Sequence, residues 1–298
     1  MNRNQIQIRD PYIFTDNNAG KYFLFGTTDP DPWNKQGIGF DAYWSGDLEN
    51  WRGPTAAFRP PAGFWGTHDY WAPEVHFFNG FYYMFATFTS NMRRRGTQIL
   101  RAKAPLGPYV PHSKGAATPE DWECLDGTLF VDENEKPWMV FCHEWVQVND
   151  GEICAIELDD ELKGTIGGPK LLFKASSASW PKLLPRRDGT NIADARVTDG
   201  PFAYRRKDGT LLFLWSSLAE EGYAMGIARS GSGTLDGPWI QDEKPLISCD
   251  GGHGMVFRSL DGKLYATYHS PNKTPFERFQ YAEIVESGKS LALAGGDK

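Results

Sequence analysis

Asp10, Glu74, Asp126, Asp199 and His253 each stand at or near the start of an aromatic, strand-like segment, at intervals of 64, 52, 73 and 54 residues. If these segments play one structural role, their opening residues converge on one place. Carboxyl groups gathered there with an imidazole would suit hydrolysis of a glycosidic bond. One carboxylic acid protonates the leaving oxygen, while a carboxylate acts on the anomeric carbon or on a water. A third carboxylate raises the acid's pKa by like-charge repulsion and keeps it protonated near neutrality. A single aspartate at a strand end or turn is ordinary. Three at matching positions are harder to explain by turn chemistry alone.

The elements that must position these residues are strands. Tyr22-Phe23-Leu24-Phe25, Phe81-Tyr82-Tyr83-Met84-Phe85, Trp138-Met139-Val140-Phe141 and Leu211-Leu212-Phe213-Leu214-Trp215 are short apolar runs that predict buried strands. Asn79-Gly80, Asp208-Gly209 and Asp261-Gly262 precede such runs as hairpin turns. Further strand-like segments follow in each unit, such as Asp41–Ser45, Gln98–Ala102, Glu152–Ile156 and Ala224–Ala228. Five units of about 60 residues, each several strands long, predict an all-β fold, a five-bladed β-propeller. The innermost strand of each blade would line the central channel, so the opening residues would ring one pocket. Residues 1–298 are expected to form a single catalytic propeller, with a polar tail or a last short strand from about residue 284.

Composition narrows the function classes. The chain has 298 residues, 31 basic against 38 acidic, for a formal charge of −7. An acidic chain is a poor nucleic-acid binder, and the one basic cluster, Arg93-Arg94-Arg95, reads as a solvated loop tip. No apolar run is long enough for a transmembrane helix and Met1–Asp10 does not resemble a signal peptide, so the expectation is a cytoplasmic protein as written, or a secreted or periplasmic one if an export signal has been removed. Neither nucleic acid nor membrane is an expected partner. Cys124, Cys142, Cys154 and Cys249 lack CxxC spacing and read as small buried residues. Eleven Trp, 12 Tyr and 19 Phe suit β architecture and could stack on sugar rings.

Arg9-Asp10-Pro11-Tyr12-Ile13, Trp71-Ala72-Pro73-Glu74-Val75, Leu125-Asp126-Gly127-Thr128-Leu129-Phe130, Asp199-Gly200-Pro201 and Gly252-His253-Gly254 resemble, in order and over nearly the whole chain, the motifs of glycoside hydrolase family 43. The resemblance implies a five-bladed propeller and an inverting mechanism acting on an oligosaccharide or polysaccharide. Asp10 matches the general base that activates water, and Asp126 the residue that modulates the acid's pKa. Asp199 stands where the family usually has the glutamate general acid. An aspartate is one methylene shorter, by about 1.5 Å. That leaves three readings: an aspartate acid with altered geometry, an acid supplied by Glu74, Glu144 or Glu221, or lost activity.

The resemblance also implies that His253 helps to hold a calcium or other ion on the axis through water, with no cofactor required for the chemistry. One histidine cannot make a tight calcium site, since calcium takes six to eight oxygen ligands. Arg278 matches an arginine that contacts substrate or base. Trp71, Glu74 and Trp33 are candidate substrate-binding residues, and Phe64 and Trp65 could extend a substrate wall. The expected activity is exo-hydrolysis of terminal α-L-arabinofuranosyl, β-D-xylosyl or β-D-galactofuranosyl residues. A retaining invertase-like glycosidase, an inactive sugar-binding propeller and a scaffold for protein contacts are the other readings.

Overall fold

A computed structural model of the chain describes residues 1–184 and 195–295. Twenty strands are present among the described residues, grouped as five four-stranded antiparallel sheets. Blade 1 comprises β1 (Arg9–Asp16), β2 (Lys21–Thr27), β3 (Phe40–Ser45) and β4 (Trp51–Phe58). Blade 2 comprises β5 (His68–Phe78), β6 (Phe81–Ser90), β7 (Arg93–Ala102) and β8 (Val110–Ala116). Blade 3 comprises β9 (Cys124–Val131), β10 (Pro137–His143), β11 (Glu152–Leu158) and β12 (Thr165–Lys174). Blade 4 comprises β13 (Asp199–Arg205), β14 (Leu211–Ala219), β15 (Gly222–Ser230) and β16 (Trp239–Gln241). Blade 5 comprises β17 (Val256–Arg258), β18 (Leu264–Ser270), β19 (Arg278–Ser287) and β20 (Ser290–Leu293). In every sheet the strands pair in chain order. The fold is the expected five-bladed β-propeller, and the chain after residue 284 completes β19 and adds the last short strand.

The aromatic runs become the second strands, β2, β6, β10 and β14, and their side chains are almost wholly buried. A strand covered on both faces reads as a continuous apolar run rather than an alternating one. The core lies between blades. One cluster joins blades 1, 2 and 5, and others lie between blades 2 and 3, 3 and 4, and 4 and 5. Phe58, Phe64, Tyr70 and Phe88 make edge and tilted ring contacts in the first cluster, of a kind that adds about 0.5–1.5 kcal/mol per pair beyond buried area. Phe64 therefore packs into the core and is not part of a substrate wall.

The N-terminal segment crosses the joint between blades 1 and 5. Met1 and Trp51 exchange backbone hydrogen bonds, and Gln7 bridges to Arg278. Thr267 Oγ1 donates to the Pro11 carbonyl at 2.7 Å across the same joint. All four cysteines are free; Cys124, Cys142 and Cys154 are buried as expected, whereas Cys249 is exposed. Among the described residues, no helix is long and apolar enough to cross a membrane.

Candidate active site

At one end of the channel each blade repeats a small backbone device. Asp10, Ala72, Asp126, Gly200 and His253 have positive φ, between 46° and 57°, and each is followed by proline or glycine. In blade 1 the pairing jumps from Arg9↔Thr27 to Tyr12↔Phe25, so Asp10 and Pro11 bulge opposite Gly26. Similar register shifts occur in blades 2, 3 and 4. A bulge bends the strand and re-aims a side chain, and proline fits where the ladder needs no donor. Left-handed backbone is costly for a non-glycine residue and clusters where structure over-determines it.

The joints between blades supply that over-determination. Asp10 N donates to His269 Nδ1 (3.1 Å), Ala72 N to Thr27 Oγ1 (2.8 Å), Asp126 N to Thr87 Oγ1 (2.9 Å) and His253 N to Ser216 Oγ (2.8 Å). The acceptor lies on the second strand of the preceding blade each time. In blade 3 that position is Cys142, a weak acceptor. Gly200 N donates instead to Asp126 Oδ2 at 3.0 Å. Asp126 is thereby tied to blade 4 by its own carboxylate.

Asp10, Asp126, Asp199 and His253 meet at the floor of a depression of about 270 Å³, whose walls include Arg9, Trp33, Trp71, Arg95, Glu144 and Tyr223. His253 Nδ1 lies 3.2 Å from Asp10 Oδ1 and 3.7 Å from Asp126 Oδ2. Thr27 Oγ1 donates to Asp10 Oδ2 at 2.6 Å, and Tyr223 donates to Asp199 Oδ2 at 2.8 Å.

These environments separate the carboxyl groups. Burial would raise Asp10, but His253, Arg9 and the Thr27 hydroxyl outweigh it and hold Asp10 below the usual carboxylate range. Burial pushes Asp126 up to about 8, only partly offset by His253 and reinforced by Asp199 and Asp10. Asp199 is also raised, chiefly by burial, against the pull of His253 and the Tyr223 hydrogen bond. Burial would lower His253, yet the three aspartates raise it. Burial holds His269 neutral, down to about 3, consistent with Nδ1 accepting from Asp10 N and Nε2 facing Asn272 Oδ1 at 3.2 Å. One ionised carboxylate beside two carboxyls inclined to keep a proton is the division that general base and general acid require.

One wall is a row of two indoles held between two guanidinium groups. The Arg9 guanidinium lies 4.8 Å from the Trp33 ring, Trp33 is 5.1 Å from Trp71, and the Arg95 guanidinium is 4.5 Å from Trp71. Arg9 is fixed by Glu277 (2.8 Å) and Asn272 (2.9 Å), and Arg95 by Asp69 and Glu144. Removing one partner of such a buried pair costs about 3–5 kcal/mol, so both arginines are held in place before any ligand arrives. Trp33 Nε1 donates to Thr274 Oγ1 and Trp71 Nε1 to the Pro32 carbonyl, both at 2.8 Å.

The model of the family described as Glycosyl hydrolases family 43 matches residues 4–286. The chain belongs to glycosyl hydrolase family 43. It is a glycoside hydrolase by family, and the propeller just described is that of its structural relatives. The endo-arabinase from Bacteroides thetaiotaomicron VPI-5482 is 40% identical, with a TM-score of 0.87 over 96% of this chain and 97% of that one. A thermostable family-43 glycoside hydrolase shares the fold at 23% identity, with a TM-score of 0.79 over 97% and 93% of the two chains. Alpha-L-arabinofuranosidase 43 of Humicola insolens is 21% identical over 221 residues, 70% of this chain but 44% of that protein. The chain thus spans under half the length of that curated relative.

The structure brings together Asp10, Asp126, Asp199, His253, Trp33 and Trp71. Glu74 does not line this depression. It lies two residues beyond the bulge position Ala72, where it accepts from Thr128 Oγ1 (2.5 Å) and lies 3.2 Å from His76 Nε2. Arg278 also lies elsewhere, bonded to the carbonyls of Asn4 and Pro275 at 2.8 and 3.0 Å. Its neighbour Glu277 is the member of that motif that reaches the site, through Arg9. Of the replacement acids, Glu144 lines the depression and Glu221 is exposed.

The basic cluster is not a solvated tip throughout, because Arg95 turns inward to the site. Arg95, Glu144 and Tyr223 were not legible as site residues, apart from Glu144 as a substitute acid. An ion on the axis would be held by His253 through water, because the described residues offer no direct set of ligands. His253 Nδ1 faces two carboxylates that draw it toward the protonated form, and no group of three or more His, Cys, Asp or Glu placed to hold a metal occurs among the described residues.

Proposed function

We propose that residues 1–298 act as a single catalytic propeller that hydrolyses α-L-arabinofuranosyl linkages in arabinan-like chains with inversion. The observation that carries this reading is the separation of the carboxyl groups: Asp10 is held ionised beside His253 and Thr27, while Asp126 and Asp199 are pushed toward the protonated form. Asp10 is the general base that takes a proton from the attacking water. Asp199 is the general acid that protonates the leaving oxygen, its pKa raised by burial and by Asp10, and Asp126, which accepts from the Gly200 amide, positions the strand that carries it. Trp71 and Trp33 line the depression and bind the sugar at its wall. The arabinofuranosyl preference rests on the 40% identity to an endo-arabinase and the match to an arabinofuranosidase.

Cleavage within the chain is favoured over cleavage at its end by the shape of the depression. Among the described residues it continues past Tyr223 toward Leu218, Asn272 and Thr274, giving room for sugars beyond the one over Asp10. The exo reading is favoured by Trp33 standing over Trp71 as a wall. Proton NMR during hydrolysis of arabinan and of aryl arabinofuranoside, xyloside and galactofuranoside tests the proposal. Inverted arabinose signals and a mixture of arabino-oligosaccharides are expected. Retained configuration, or turnover confined to another sugar, overturns it; release of single arabinose units alone returns the exo reading.

A further inference from the structure

We propose that a second groove, beside the catalytic depression, binds a uronic acid residue of an acidic polysaccharide. This goes beyond the proposed hydrolysis, because binding there needs no turnover. The groove has a volume of about 260 Å³ and is walled by Trp65, Arg93, Lys114, Pro119 and Glu120, with Arg95 shared between it and the catalytic depression.

Its cations are not equivalent. Arg95 is paired with Asp69 and Glu144, and Arg94 with Glu123. Arg93 and Lys114 are exposed, and among the described residues neither has a carboxylate within 4.0 Å. Glu120 is the one acidic side chain on the walls. In a chain of net charge −7, two uncompensated cations facing one groove mark a place for an anion.

The aromatic wall makes the anion a sugar. Trp65 is half-buried, and its Nε1 donates to Gln98 Oε1 at 2.5 Å. Gln98 is itself buried and donates from Nε2 to the Ser113 carbonyl at 2.8 Å. The indole is therefore held in one orientation, with the Arg93 guanidinium 5.9 Å from its ring centroid. A fixed indole can take the C–H face of a pyranose ring while Arg93 and Lys114 take its carboxylate by charge-assisted hydrogen bonds. A charged residue in the groove and a neutral arabinosyl residue over Asp10 would lie on opposite sides of Arg95, as on one branched chain.

The test is calorimetric titration of the intact protein with trigalacturonate, its fully methyl-esterified form and sodium sulfate, repeated on the double variant Arg93→Ala/Lys114→Ala. Trigalacturonate should bind at least tenfold more tightly than its neutral ester, and the double variant should lose at least tenfold of that affinity. Hydrolysis of a neutral aryl arabinofuranoside should be unchanged in the double variant. Equal affinity for acid and ester, undiminished binding in the double variant, or displacement by equimolar sulfate would overturn the proposal. Because binding is read directly, a protein that fails to turn over arabinosides can still pass or fail this test.

Discussion

The phenolic hydroxyl of Tyr223 donates a 2.8 Å hydrogen bond to Oδ2 of Asp199. Tyr223 comes from the third strand of blade 4, and its ring stacks on His269 at 5.5 Å and 24°. His269 in turn accepts from the Asp10 amide. One chain of contacts therefore links the side chain of the proposed acid to the backbone of the proposed base. With Oδ2 engaged, Oδ1 is left to carry the transferable proton.

Tyr223→Phe removes a bond that favours the ionised form of Asp199, so the Asp199 pKa should rise further and the high-pH limb of the rate profile should move up. Hydrogen bonds to charged groups contribute about 1.5–3 kcal/mol. A carboxyl no longer fixed in place should lower kcat roughly 10- to 100-fold on substrates with poor leaving groups. Aryl arabinosides with activated leaving groups need less protonation and should lose less. Rate profiles on the two substrate classes check this; equal loss on both, with an unmoved profile, would count against it.

Gly200 has φ +50°, and a Cβ there would meet the His253 ring at 2.5 Å. Gly200→Ala should therefore displace His253 from Asp10 and Asp126 as well as strain the backbone by about 1–3 kcal/mol. Thermal unfolding should show a lower Tm, and kcat should fall more than KM rises. A variant with unchanged Tm and kcat would mean that the ring moves freely.

Asp126 gives a pH-dependent effect with a definite sign. Its folded pKa, about 8, lies above the ordinary aspartate value, so the native state holds this proton more tightly than the unfolded chain. Its stability contribution is full below the unfolded pKa and is lost as pH rises toward about 8. Asp126→Asn removes that loss. The variant should gain on the wild type by on the order of 1 kcal/mol per pH unit across that window, although its activity falls. Melting curves at pH 5 and pH 8 check this; a stability difference that does not grow with pH would contradict it.

The fold was legible because each blade repeats one hydrophobic pattern, and the second strands, Tyr22–Phe25 and its counterparts, are apolar enough to stand out. Asp10, Asp126 and His253 come together at the floor of the depression because each takes the left-handed position before proline or glycine. Blade 4 brings its aspartate to the same floor by another register. Asp199-Gly200 looks like Asp126-Gly127, but Gly200, not Asp199, takes the left-handed position. Asp199 enters the site from one residue earlier, opposite Ser216. In blade 2 the corresponding residue is Ala72, so Glu74 falls deeper. Arg278 bonds the Asn4 and Pro275 carbonyls instead, and its neighbour Glu277 reaches the site only through Arg9.

Arg95 and Tyr223 were missed for another reason. Both lie on third strands and reach the site across a blade, Arg95 from β7 and Tyr223 from β15. Their placement depends on sheet twist and on the packing of Trp71 and His269, which no local motif records. A register shift in the β6–β7 pairing falls at Arg94 and Arg95, and Arg95 alone of the three arginines lines the catalytic depression. A charge run alone does not show that division.

The central claim is that Asp10 activates the attacking water. Its most direct test is Asp10→Asn, with kcat measured on an aryl α-L-arabinofuranoside and arabino-oligosaccharide affinity measured by calorimetry. The account predicts a fall in kcat of roughly a thousandfold or more, since an amide cannot accept the proton, with Kd within a few-fold of the wild type. A variant that keeps its rate would contradict the assignment.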